Sequence, residues 1–131
     1  MWTNLLYVML GSAVGGGCRF LVSKIVTEHS TGVFPWGTFA VNLAGCLLIG
    51  ILFGLTERGV SLSPQMKMLL ITGFCGGFTT FSTFAHENYL LLNDSRFWIL
   101  FLYAVLSFAL GLLLAHAGHT LARLLRKTKK K

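Results

Sequence analysis

Gly73-Phe74-Cys75-Gly76-Gly77-Phe78-Thr79-Thr80-Phe81-Ser82-Thr83-Phe84 sets a glycine pair and a run of hydroxyls inside an otherwise apolar segment, and it decides how the chain is read. Each glycine of the pair weakens a continuous helix by roughly 1 kcal/mol relative to alanine. Lipid has no water to satisfy backbone groups that a break would free. The stretch therefore reads as a helix broken at membrane depth, at Gly76-Gly77. Two readings are open: unwound backbone lining an ion or substrate site, or glycines that let two helices approach closely.

Working outward, composition sets the class. Of 131 residues 54% are hydrophobic and 11% charged, and the charges fall mainly between or after long apolar runs. A bilayer core of about 30 Å needs roughly 20 residues per helix. The runs 5–26, 36–55, 68–92 and 97–125 satisfy that, so the chain reads as one all-α integral membrane domain, residues 1–131, with four spans and the third broken near its middle. The alternating ten-residue segments of a membrane barrel are missing. The first run lacks a basic start and a small-residue cleavage pattern, and reads as a retained span. Cys18, Cys46 and Cys75 lie in apolar segments without metal-type spacing, and read as reduced packing residues.

Charge speaks to orientation. Arg58 and Lys67 of the second loop oppose Lys24 and Arg96 of the other two, so the loops specify topology weakly, as in a chain that inserts both ways up. Arg123, Arg126, Lys127, Lys129, Lys130 and Lys131 favour an inside C-terminus and account for most of the net charge of +7. That tail reads as a headgroup-facing end, with no nucleic-acid partner.

Small and polar residues mark the helix faces. Gly11/Gly15, Gly50/Gly54 and Ser107/Gly111 predict close crossings. Arg19 continues the first of these lines, which aims it at protein or an aqueous cavity; snorkelling is the alternative. Thr38 and Asn42 share a face with Gly45, Tyr103 repeats the spacing with Ser107, and in the third span Thr79, Ser82 or Thr83, and His86 follow helical spacing, as do Thr80, Thr83 and Glu87. Together they outline a polar track. Phe81 and Phe84 stand beside the hydroxyls. Their ring edges are positive and would favour a small anion; on spacing alone ordinary packing is the better account, and it gives ground only in the company of Asn42 and the hydroxyls. His116 and His119 share a face close to the basic end and read as interfacial.

Gly73-x-x-Gly76-Gly77-x-Thr79-Thr80-Phe81-Ser82-Thr83-Phe84, with Val41-Asn42-x-x-Gly45, Gly11-x-x-x-Gly15-x-x-x-Arg19 and Tyr103-x-x-x-Ser107, resembles the CrcB/Fluc family of small fluoride channels over the whole chain. The resemblance implies a passive, fluoride-selective channel, not an enzyme, that exports fluoride across the bacterial inner membrane and lowers its toxicity. It implies an antiparallel homodimer of four-helix subunits with two pores and a central structural Na+. The backbone carbonyls of Gly76 and Thr79 from both subunits would hold that ion. Asn42, Phe81, Phe84, Thr38, Ser82, Thr83, Tyr103 and Ser107 would line the fluoride pore, with Arg19 at a vestibule and Glu87 near a pore mouth. The basic tail departs from the charge balance expected of a dual-topology subunit. Two other classes fit the size. A dual-topology proton-coupled small-molecule exporter would want an acidic residue at the centre of a span, and only Glu87, toward one end of the third, is acidic within any span; a non-transporting membrane anchor subunit would leave the clustered polar residues without a purpose.

Overall fold

Four helical spans cross the length of the molecule, and the third is a composite. The computed structural model describes residues 1–129; Lys130 and Lys131 of the basic tail lie outside the described residues. Helix α1 runs Trp2–Glu28 and α2 runs Trp36–Glu57. The third span comprises α3 (Pro64–Lys67), a π-helical segment Met68–Cys75, α4 (Gly76–Phe78) and α5 (Ser82–Asn93); α6 runs Phe97–Lys129. All four spans are long and apolar enough to cross a membrane. Among the described residues there is no strand.

Local chemistry explains the ends. Ser63 caps α3, its hydroxyl accepting the Met66 N–H at 3.1 Å, with Pro64 at the first helical position where a missing N–H costs nothing. Gly59 turns the chain out of α2 at φ 78°, a left-handed conformation that suits glycine.

Packing follows the small-residue lines. Helix α1 lies on the π-helical segment and α4, while α2 lies on α6. A Cβ on Gly11 would run into Leu69 O and stand 2.8 Å from Phe74 N, and one on Gly15 would collide with Phe74 O. Gly50 and Gly118 bring α2 and α6 together in the same way: a Cβ on Gly50 would strike Ala115 O, and one on Gly118 would stand 2.5 Å from Leu47 O. Glycine lines of this kind let backbones approach closely where lipid supplies no hydrophobic drive between helices.

The inner core is small and aromatic. Tyr103 is fully buried with Phe39 and Leu91, flanked by Phe34 and Phe84. The Tyr103 ring centroid is 5.4 Å from that of Phe34, nearly edge-on, and 4.9 Å from that of Phe84. Elsewhere Leu6, Leu10, Phe20, Trp98, Phe108 and Leu112 are exposed, as suits surfaces that meet lipid or another protein.

Candidate functional site

The third span opens at Thr79–Phe81, beginning two residues beyond the glycine pair. Thr79 closes the last turn, its N–H and its hydroxyl both donating to Cys75 O at 3.0 and 2.9 Å, and then turns extended (φ −82°, ψ 159°). Thr80 N–H donates to Asn42 Oδ1 at 2.8 Å, and Asn42 Nδ2 donates to Thr80 O at 2.9 Å. One side-chain amide from α2 thus supplies both partners that the unwound peptide lacks. The Thr80 hydroxyl accepts the Thr83 N–H at 3.3 Å, and regular pairing resumes with Ala85 N–H to Phe81 O at 2.8 Å.

The expectation that Gly76-Gly77 itself breaks the helix is therefore corrected. Gly76 has helical dihedrals (φ −65°, ψ −36°). A missing Cβ permits a break without enforcing one, and here the pair does other work. A Cβ on Gly77 would stand 2.6 Å from Ser12 O of α1, whereas one on Gly76 meets nothing within 4 Å. The break also ends the single helical register expected from Thr79 to Glu87, because the three residues Thr79–Phe81 between α4 and α5 change the phase between the two helices.

Asn42, Gly76, Thr79, Phe81, Phe84 and Ser107 line one groove of about 740 Å³, floored by Gly45 and Cys46. Phe81 is 78% exposed there, and its ring centroid is 6.0 Å from that of Phe84, at 42° between planes. The Ser107 hydroxyl is buried with no hydrogen-bond partner among the described residues, an orphan polar group on an otherwise largely apolar wall.

A second concavity of about 410 Å³ lies between α1, α2 and the start of α5, lined by Arg19, Lys24, Thr38, Thr80 and Thr83 among others. Thr80 borders both spaces. Lys24 and Glu28 face each other across 4.0 Å at its rim. Ser82 is exposed, its hydroxyl 3.5 Å from that of Thr80.

Glu87 sits between α2 and α6 rather than on the wall that Arg19 lines. The Thr38 hydroxyl donates to Glu87 Oε1, and the Tyr103 hydroxyl donates to Glu87 Oε2 at 3.3 Å. Thr38 thereby links the Arg19 concavity to the carboxylate, and Phe84 links the carboxylate's aromatic surround to the groove.

The oxygen donors expected to hold Na+ suit that ion. Thr80 N–H, which a continuous helix would direct to Gly76 O, goes to Asn42 instead. Among the described residues no hydrogen bond reaches the carbonyl of Gly76 or Thr79. Both residues line the groove, and free carbonyl oxygens are hard-cation donors. His116 and His119 form no metal cluster among the described residues; His119 Nδ1 lies 3.5 Å from Glu57 Oε2.

Sequence reasoning missed three contributors. Phe34, in the loop before α2, and Phe39 pack the ring of Tyr103, and Lys24 shares the Arg19 concavity. Lys24 stands five residues beyond Arg19 on the same helix, a signal that was available; Phe34 carries none, since its place depends on how the loop returns.

Fold and site define a small multi-pass membrane protein whose interrupted third span is held open by a neighbouring helix. The model of the CrcB-like, camphor resistance (CrcB) family matches residues 6–119. A relative from Flavobacterium psychrophilum, the fluoride-specific ion channel FluC, is 43% identical over 120 residues, covering 92% of this chain and 97% of its own. FluC of Chlorobium phaeobacteroides is 46% identical over 123 residues, covering 94% and 95%, and FluC 1 of Streptomyces avermitilis is 42% identical over 115 residues, covering 88% and 92%. The chain belongs to the CrcB family.

Proposed function

We propose that this protein is a fluoride-selective passive channel, through which fluoride leaves the cytoplasm of a bacterial cell down its electrochemical gradient. The observation that carries the reading is the convergence of Asn42, Phe81, Phe84 and the unpartnered Ser107 hydroxyl on one groove, in a chain whose relatives bear the name fluoride-specific ion channel. Fluoride is small and holds its water tightly, so a pore must offer compact donors in place of that water. The Ser107 hydroxyl, the second N–H of Asn42 and the edges of the Phe81 and Phe84 rings are such donors. Thr38, Thr83 and Tyr103 continue the hydroxyl line toward Glu87, with Ser82 beside Thr80, and Arg19 and Lys24 concentrate anions in the second concavity. Chloride, larger and less strongly hydrated, gains less from the same narrow set.

One subunit leaves the groove open on one side, so the reading requires a second copy, antiparallel in the membrane, to complete two pores. The Gly76 and Thr79 carbonyls of both copies would hold a Na+ whose role is structural, neutralising carbonyl dipoles that a dry interface would otherwise leave unpaired. No energy source enters the scheme.

Purified protein in fluoride-loaded liposomes should release fluoride to an external electrode once a K+ ionophore dissipates the opposing voltage, and chloride-loaded liposomes should release far less. Phe81→Ile keeps apolar bulk and removes the ring edge, so it should abolish or sharply reduce release. Wild-type efflux from that variant would end the electrostatic role of the ring. No efflux from folded wild type would end the channel reading.

A further inference from the structure

At the end of the molecule where α2 stops, four cations gather around one small cavity. Arg58, from the turn after α2, and Arg123, Arg126 and Lys127, from the last turns of α6, line a space of about 220 Å³, and among the described residues they alone form its wall. Like charges brought together repel, and one of them is partly dehydrated: Arg126 Nη1 is shielded from solvent and has no hydrogen-bond partner among the described residues. The chain makes room for this arrangement. Gly59 turns at φ 78°, and a Cβ there would stand 3.1 Å from Arg126 Nη1 and 3.6 Å from Nη2, so the guanidinium rests against the glycine. The adjacent carboxylate, Glu57, faces His119 at 3.5 Å.

From these observations we propose that Arg58, Arg123, Arg126 and Lys127 form a phosphate-recognition site whose ligand is an anionic phosphate group, carried by a membrane lipid or free in solution. Guanidinium forks match phosphate oxygens bidentately, and a lysine adds a mobile point charge. The depth is suitable for either source. Helix α6 has 33 residues, about 50 Å at 1.5 Å per residue, against a hydrocarbon core of about 30 Å. Its last turns therefore reach the layer where lipid phosphates and the aqueous phase meet. The site shares no lining residue with either concavity of the conduction reading, so it stands or falls independently of fluoride transport.

The test uses the full-length protein, stripped of lipid in neutral detergent and examined by native mass spectrometry with added phosphatidylglycerol, phosphatidylcholine or inorganic phosphate. Wild type should retain phosphatidylglycerol over phosphatidylcholine, and Arg126→Gln should weaken that retention about tenfold, the loss of one charge-assisted contact. Arg96→Gln removes the same charge from the α5–α6 loop and should retain lipid like wild type. Binding of inorganic phosphate but not phosphatidylglycerol, lost in Arg126→Gln, would support the site with a soluble ligand. Equal weakening by Arg96→Gln and Arg126→Gln would reduce the effect to general attraction and overturn the proposal, as would wild-type retention in both Arg126→Gln and the double variant Arg58→Gln/Arg126→Gln. Thermal unfolding of each variant separates lost binding from lost fold.

Discussion

The seam between α2 and α6 and the opening at Thr79–Phe81 use the same small side chains to opposite ends. Along the seam, glycines at positions 50, 54 and 118 press regular helices together, and each added Cβ would meet backbone or an alanine methyl. At the opening, Gly77 makes a similar close contact with α1, but its neighbour Gly76 faces empty space, and what departs from regularity is the peptide at Thr80, which Asn42 of α2 holds apart from the helix. Glycine thus sets how near helices come, whereas a polar side chain from another helix decides where one of them unwinds.

The sharpest way to break that contrast is Asn42→Ala. It removes the partners of the Thr80 N–H and C=O, each worth about 1–3 kcal/mol when buried, and the Thr80 N–H recovers part of that by returning to the Gly76 carbonyl, so the subunit should lose about 2–4 kcal/mol in thermal unfolding and also lose fluoride efflux. An unchanged melting temperature would mean that Asn42 does not hold the opening. Next in size is Gly77→Ala, which forces a methyl against Ser12 O and should cost about 1–3 kcal/mol. Gly76→Ala, one residue away, should leave the isolated subunit as stable or up to about 1 kcal/mol more so. On the proposed dimer it should nonetheless weaken association in crosslinking, since its methyl would enter the groove face that the proposal gives to a second copy. Were crosslinking and efflux both unaffected, that face would not be an interface. The smallest effect belongs to Glu28→Gln at the rim of the Arg19 concavity: the pair with Lys24 is exposed at 4.0 Å, and its loss should change stability by less than about 0.5 kcal/mol.

These particulars show where the sequence was informative. The spans follow from apolar length, a property each segment carries by itself, and the Gly11/Gly15 and Gly50/Gly54 lines met the backbones they predict. The opening was legible as an event but lies past the glycine pair, at Thr79–Phe81, because propensity points to glycine while the cause is a contact between positions 38 residues apart. The π-helical segment Met68–Cys75 has no mark in its residues; it arises where the third span follows the surface of α1. Of the site, Phe81, Phe84 and Asn42 were readable as a group from their neighbours in sequence, yet the hydroxyls of Thr38 and Tyr103 meeting on Glu87 required three helices to be placed first.

The Asn42–Thr80 pairing also bears on how the protein is made. A nascent third span entering lipid before α2 docks has no amide to replace its own peptide bonds, and an unwound Thr80 would leave a donor and an acceptor bare in hydrocarbon at several kcal/mol each. The low-energy form at that moment is one unbroken helix, with the Thr80 N–H on the Gly76 carbonyl. Docking of α2 then exchanges that bond for Asn42 and sets the carbonyl free. On these energetics insertion comes first and opening second, and the free Gly76 carbonyl is a property of the assembled bundle and not of the isolated span.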